Sequence, residues 1–316
     1  MLIDNWGRKV DYLRISVTQK CNYNCIYCHR EGEQHILSEE LSKEKILLIA
    51  KVAKDLGFKK VKLTGGEPLL RRDIVEIVKG LSDLGFEDIS IVTNGYLLDI
   101  YAKELSDAGL HRVNVSIPSL RKEKYRLITR VRYSDVPERI INNLKIAKGL
   151  FKEVKVNVVV MREINDNEIS DFINLSAEIG VIIQFIELQA PQGYDMQFFW
   201  KHYLPLKNLE DKLESEAIRV DVSEYNLKKS FYLSNGAIVE VVRPMFNPLF
   251  CKYCRKLRIA SDGSFKPCLL RTDNHVKIND WSENGIKEAL LKAISLREPY
   301  FKERGVVIAE QKSFNG

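Results

Sequence analysis

Six cysteines fall into two groups of three: Cys21, Cys25 and Cys28 early in the chain, and Cys251, Cys254 and Cys268 late in it. Thiols sorted into threes do not make a disulfide framework, which needs pairs, and a structural zinc site usually takes four protein ligands. A cubic [4Fe–4S] cluster has four irons, each ordinarily held by one thiolate. Three thiolates leave one iron open, and an open metal position is where chemistry happens. The first group, C-x3-C-x2-C, directly follows a predicted strand. In a parallel α/β sheet ligands gather at the carboxyl ends of strands. The second group, C-x2-C-x13-C, runs into Arg255-Lys256-Leu257-Arg258. If that run is a strand, alternation puts Lys256 and Arg258 on one side, as fixed cations suited to an anionic substrate. A zinc site completed by a histidine such as His275 is the competing reading of the second group.

These groups need a scaffold. The chain has 316 residues, 45% apolar and 29% charged, which suits one large or two small globular domains. Strand-like runs at 12–17, 60–63, 88–92, 111–117, 154–160 and 181–187 alternate with helical periods. In one of these helices Ile46, Ile49, Ala50 and Ala53 share a face. Gly57, Gly85, Gly109 and Gly180 stand where a glycine ends a helix before the next strand. The repeated helix–Gly–strand order predicts βα units around a parallel sheet. Six strands are too few for a closed eight-stranded barrel. The expected fold is therefore α/β: a partial, six-stranded, parallel TIM-like β/α barrel over 1–190. A smaller C-terminal iron–sulfur module is expected over 191–316. In that second part 191–205 is aromatic without clear period, strands are expected near 231–233 and 237–242, and a helix near 286–296.

No run of about 18 apolar residues is present, so no membrane span is expected. The first ten residues lack the apolar core of a signal peptide. A cytoplasmic location follows, where thiols stay reduced. The net charge of +6 fits an anionic small substrate, weak attraction to nucleic acid, or a salt-bridged surface of the kind thermophiles carry. No finger or RNP pattern accompanies it, so no nucleic-acid partner is expected.

Cys21-Asn22-Tyr23-Asn24-Cys25-Ile26-Tyr27-Cys28 resembles the signature of the radical S-adenosylmethionine superfamily, and three further motifs match it. Thr64-Gly65-Gly66-Glu67-Pro68 ends the second strand, where small residues allow close backbone approach and a carboxylate can accept from an ammonium group. Thr93-Asn94-Gly95 and Asn114-Val115-Ser116 end the third and fourth. In that family the open iron is chelated by S-adenosylmethionine, whose reductive cleavage releases a 5′-deoxyadenosyl radical.

Over essentially its full length the chain is similar to the GTP 3′,8-cyclases of molybdenum cofactor biosynthesis. The similarity rests on Leu13-Arg14-Ile15-Ser16-Val17-Thr18, on GGEPLLRRD from Gly65 to Asp73, and on Val113-Asn114-Val115-Ser116. It continues through Lys155-Val156-Asn157, Phe185-Ile186-Glu187, the run from Cys254 to Arg258, Ser261-Asp262-Gly263 and Cys268-Leu269. The resemblance implies two [4Fe–4S] clusters, one on each cysteine triplet. It implies S-adenosylmethionine at Tyr27, Gly66, Glu67 and Ser116, and GTP at Arg14, Lys62, Thr93, Lys155, Lys256 and Arg258. Arg14, Lys256 and Arg258 are the candidates for catalysis. The implied reaction takes the C3′ hydrogen of GTP and joins C3′ to guanine C8. Its product passes to a cyclic pyranopterin monophosphate synthase. A reduced electron donor and a homodimer are also implied.

The chain departs from the family pattern in having Lys62 and Lys256 for arginine, Gln184 for arginine, Gln189 for methionine, Ser116-Ile117-Pro118 in the fourth strand, and a single final Gly316. His29, Arg30, Glu31, Arg71 and Arg72 receive no role, Arg30 and Glu31 being placed in a loop covering the cluster. Phe198, Phe199 and Trp200 are lid or dimer surface. The rival enzyme reading is a radical S-adenosylmethionine peptide maturase with an auxiliary cluster, which would usually carry more late cysteines. The rival outside enzymes is a zinc-structured nucleic-acid-binding protein.

Overall fold

The computed structural model describes residues 2–33, 37 and 39–301. The expected tail at Gly316 lies outside them. Strands β1 (Tyr12–Ser16), β2 (Lys60–Thr64), β3 (Asp88–Thr93), β4 (Arg112–Ser116), β5 (Glu153–Val160) and β6 (Ile182–Glu187) follow the six expected runs within a residue or two. They lie side by side in chain order, all parallel.

Alternation decides which way each strand faces. Leu13 and Ile15, Val61 and Leu63, Ile89 and Ile91, Val113 and Val115, and Ile183 and Phe185 are fully buried, in one cluster with helix residues such as Ile46, Ile49, Ile77 and Leu144. Each such side chain contributes about 1.5–3 kcal/mol by leaving water. The intervening positions, among them Arg14, Lys62, Asn114, Lys155 and Gln184, point to the other face and line a cavity. The barrel is thus apolar toward its helices and polar inside. The expected helical face is seen in Lys43–Asp55, which is N-capped by Ser42 and buries Ile46, Ile49, Ala50, Val52 and Ala53.

After β6 the sheet does not stop. Strands β7 (Ala217–Val222), β8 (Lys229–Leu233), β9 (Ile238–Val242), β10 (Lys256–Ile259) and β11 (Phe265–Lys266) join the same sheet. Its order is β11-β10-β1-β2-β3-β4-β5-β6-β9-β8-β7. β9 pairs parallel with β6 and β10 pairs parallel with β1. Residues beyond the expected boundary at 190 therefore flank the six-stranded core on both edges, whereas the sequence led us to expect a module packed against it. Helix Glu283–Ser295, where a C-terminal helix was expected, packs on helix Lys43–Asp55.

The aromatic stretch contains a short helix, Met196–His202, capped by Asp195. Phe199 is fully buried in a second core with Leu188, Tyr203, Met245, Cys251 and Phe301, and Trp200 stacks on Phe246 with centroids 5.8 Å apart. Phe199 is therefore core and not the lid or dimer surface expected of it. The second core supports the short helix Pro248–Lys252, which carries Cys251.

Candidate active site

All six cysteines are free thiols, and all six line one cavity of ≈ 590 Å³. The topology sets them at opposite ends of the strands. Cys21 follows the carboxyl end of β1. Cys254 precedes the amino end of β10, which runs parallel to β1 with Lys256 opposite Tyr12. Cys268 follows β11, which returns antiparallel along β10 to the same end.

Around the first triplet, backbone does most of the holding. The Tyr23 and Arg30 amides donate to the sulfurs of Cys21 and Cys28, each at 3.4 Å. Gly66 N–H donates to Thr18 O at 2.7 Å, and Glu67 N–H to Lys20 O at 2.8 Å. A Cβ on Gly66 would collide with the Gln19 and Lys20 carbonyls, and Gly65 has φ +133°. The two glycines therefore let the turn after β2 press against the chain that leads into Cys21. The sequence reading had assigned their smallness to a ligand. Both also reach the cavity wall, with Tyr27 and Ser116.

The structure does not bring Glu67 to that wall. Its carboxylate accepts from Leu69 N at 2.9 Å, Thr93 Oγ1 at 2.8 Å and Asn94 N at 2.6 Å. These donors occupy the oxygens expected to receive an ammonium group. Burial, only partly offset by them, pushes its carboxyl up to about 7. Glu67 thereby fixes the Thr93-Asn94-Gly95 turn. His29, beside Cys28, lines the cavity with a buried Nδ1 that has no partner among the described residues, and burial lowers its ring to about 4.

The predicted substrate cations do converge. Arg258, Arg14 and Lys62 are register neighbours on β10, β1 and β2. Like charges side by side on one sheet face repel. Glu31, which the sequence reading left in a covering loop, answers this. Its carboxylate accepts from Arg14 at 2.6 and 3.1 Å, from Arg258 at 2.9 Å and from Thr64 at 2.9 Å. Although burial opposes ionisation, the two guanidinium groups hold its carboxyl well below the usual range. Buried Lys266 fixes the same loop by donating to the Glu31 and Gly32 carbonyls at 3.1 and 2.8 Å. Lys62 donates to Asn114 at 2.8 Å, and burial with neighbouring cations drives its ammonium well down. Lys256 is lowered to about 8, chiefly by burial. Lys155 pairs with Glu240 at 2.7 Å. Arg71 is a brace, bound to Asp73 and to the Val17 and Leu41 carbonyls, each of these at 2.7 Å.

Around the second triplet, cations join the backbone: the Phe301, Lys256 and Leu270 amides meet the sulfurs of Cys251, Cys254 and Cys268. Arg8 donates to Cys251 O at 3.0 Å and Arg297 to Cys254 O at 2.7 Å, both joined to Asp4. Burial raises Cys254, but Arg297, Lys256 and Arg8 outweigh it and bring the thiol down to about 7. The donor sets fit two clusters: three thiols each, with amide hydrogen bonds to sulfur of the kind that tune such sites. Among the described residues no three His, Cys, Asp or Glu side chains converge on a single metal ion. Cluster ligation does not require such convergence, because each thiolate holds a different iron. Zinc completed by His275 would require it.

Residues 15–176 match the Radical SAM superfamily and residues 181–303 match Molybdenum Cofactor Synthesis C. The fold and the first triplet define the chain as a radical S-adenosylmethionine protein. It belongs, more narrowly, to the GTP 3′,8-cyclase family. The probable GTP 3′,8-cyclase of Thermococcus kodakarensis is 43% identical over 311 residues, covering 96% of this chain and 100% of that one. The relative of the same name from Saccharolobus islandicus strain M.14.25 is 44% identical over 313 residues, covering 95% and 99%. Among solved structures, Streptococcus suis SuiB bound to precursor peptide SuiA superposes with a TM-score of 0.67 at 18% identity, covering 93% of this chain and 66% of that one. The anSMEcpe structure with AdoMet and Cp18Cys peptide gives 0.59 at 18% identity, covering 91% and 79%. At such identity the likeness is one of fold, and this chain spans 60–66% of the length of the SuiB chains it matches.

Proposed function

We propose that this protein is a radical S-adenosylmethionine GTP 3′,8-cyclase, a lyase of molybdenum cofactor biosynthesis. It closes GTP to (8S)-3′,8-cyclo-7,8-dihydroguanosine 5′-triphosphate. The observation that carries this reading is one cavity with a cysteine triplet at each end of its strands and partly buried cations between them. When bound, the [4Fe–4S] cluster of the first triplet and S-adenosylmethionine, given one electron by a reduced donor, would supply the 5′-deoxyadenosyl radical that removes the ribose C3′ hydrogen.

In this reading Cys21, Cys25 and Cys28 hold one cluster and Cys251, Cys254 and Cys268 the other. Tyr27, Gly66 and Ser116 border the S-adenosylmethionine side. Arg14, Lys62, Thr93, Lys155, Lys256 and Arg258 receive GTP; Arg14, Lys256 and Arg258 are the candidates for stabilising the charge that develops. Partly buried cations attract a polyanion more strongly than exposed ones because less water screens them. Held between the two triplets, the nucleotide has its sugar and base presented in one orientation, which is a positioning effect. Residues 1–190 carry the radical step and 191–316 the second cluster. A reduced electron donor, a downstream cyclic pyranopterin monophosphate synthase, a homodimer and a cytoplasmic location belong to the same reading. Among the described residues no helix is long and apolar enough to cross a membrane.

The test is anaerobic reconstitution followed by dithionite, S-adenosylmethionine and GTP, with products analysed by mass spectrometry. The expected result is 5′-deoxyadenosine together with a cyclised nucleotide isobaric with GTP. Deoxyadenosine with unchanged GTP would move the substrate to another class, peptides first.

A further inference from the structure

A string of alternating charges crosses the inner face of the sheet. Lys60 lies 3.6 Å from Asp88; Asp88 pairs with Arg112, and Arg112 with Glu153 at 3.0 Å. Glu153 lies 3.4 Å from Lys155, Lys155 is 2.7 Å from Glu240, and Glu240 is 2.6 Å from Lys228. The string begins and ends on a cation, so four positive groups face three negative ones. Each end cation shares its one carboxylate, Lys60 with Arg112 and Lys228 with Lys155, but Lys60 also lies over the Tyr225 ring at 4.3 Å, whereas Lys228 has Glu240 as its one ion-pair partner among the described residues.

Glu240 has no further capacity. Its Oε1 accepts from Lys155 and from Ser230 at 3.0 Å, and its Oε2 from Lys228 and from Gln184, each at 2.6 Å. Lys228, Lys155, Gln184, Ser230 and Glu240 all line the cavity that contains both cysteine triplets. The Lys228 side chain is 22% exposed and borders the cavity, so its charge is open to an anion that enters there. No sequence motif marks Lys228, which sits in the turn before β8, contributed by the C-terminal part of the chain.

We propose that Lys228 is a substrate-binding residue that takes a phosphate oxygen of the nucleotide, with Glu240 positioning it beside Lys155. This rests on the GTP reading and adds to it a contact from the β8 turn. Gln184 supplies the test of charge against shape, because its amide reaches the same carboxylate oxygen as the Lys228 ammonium. An arginine at 184 would return a cation to that corner from the neighbouring strand.

Equilibrium dialysis of the anaerobically purified full chain would measure affinity for GTP, for guanosine and for S-adenosylmethionine. Lys228→Gln keeps a hydrogen-bond donor to Glu240 and removes the charge. Its expected effect is a roughly tenfold rise in Kd for GTP, with guanosine, S-adenosylmethionine and iron content unchanged. The double variant Lys228→Gln/Gln184→Arg is expected to recover most of the loss. If wild type binds GTP and Lys228→Gln binds it equally, the proposal is wrong and the cyclase reading stands. Equal losses for GTP and guanosine, or loss of S-adenosylmethionine alone, also overturn it. A wild type that binds no GTP overturns the cyclase reading and this proposal together.

Discussion

Around Cys21, Cys25 and Cys28 the chain offers amides, glycines and small polar side chains. Burial there pushes the thiols of Cys21 and Cys25 up to about 11 and about 12. Around Cys251, Cys254 and Cys268 it adds Arg8, Arg297 and Lys256, and Cys254 falls to about 7 while burial keeps Cys251 and Cys268 raised. Two carboxylates near the first triplet show the same dependence on surroundings. Glu67, near the first triplet, meets only uncharged donors and is raised, whereas Glu31, between Arg14 and Arg258, is held down. The same three ligands in different surroundings make different sites. One suits a cofactor that brings its own charges of both signs; the other suits a polyanion.

The largest effect expected from this contrast separates the triplets. Cys25→Ser should abolish 5′-deoxyadenosine formation. Cys268→Ser should still form it under dithionite while yielding no cyclised nucleotide. Each should lower iron from about eight to about four per chain. Equal loss of deoxyadenosine in both variants would erase the division of labour. Next, Arg258→Ala should raise the KM for GTP by about thirtyfold or more, for a loss of ~2 kcal/mol, with iron content and S-adenosylmethionine affinity unchanged. Unaltered KM in steady-state assays would remove Arg258 from the substrate site.

Glu31→Gln should lower the melting temperature of the nucleotide-free protein by about 5–10 °C, because two half-buried guanidinium groups lose their counter-charge. Saturating GTP should restore more of that loss than it adds to wild type. An unshifted melting curve would mean that Glu31 does not offset the arginine repulsion. The smallest effect is in the pH dependence of denaturant unfolding. Glu67 is raised in the fold, so the folded chain holds a proton the unfolded chain releases, and stability falls as pH rises from about 4.5 to about 7. Glu31 is lowered, so its contribution is present above about 4.5 and is lost as pH falls below that. Glu67→Gln should flatten the upper limb by about 1–3 kcal/mol, leaving the part due to Glu187, also pushed up to about 7 by burial. Glu31→Gln should flatten the acid limb. A change of the wrong limb in either variant would break the comparison.

The six core strands were legible because each alternates apolar and polar residues between glycine-ended helices, a local pattern. The cysteines were legible because their spacing is itself the chemistry. β7 was not, since Ala217–Val222 is an edge strand with Ile218 and Val222 exposed, so no face is selected for burial. Helix Met196–His202 is aromatic on most sides and gives no period. Glu31, Lys228, Glu240, Arg8 and Arg297 escaped for another reason. Glu31 meets Arg258 across 227 positions and Arg297 meets Asp4 across 293. Such pairs exist only after the sheet has brought distant segments together.

The pairing of β10 with β1 has a consequence for the order of events during synthesis. At about 5–20 residues per second, β1 and the Cys21–Cys28 loop leave the ribosome well before β10, and the partners that latch the loop, Arg258 and Lys266, come last. Closing a sheet through contacts this far apart in sequence is slow. For that interval the segment after Cys28 lies at an unsealed edge of the sheet. Arrival of the final strands closes that edge, so the last contacts to form are those that hold Glu31 and Gly32.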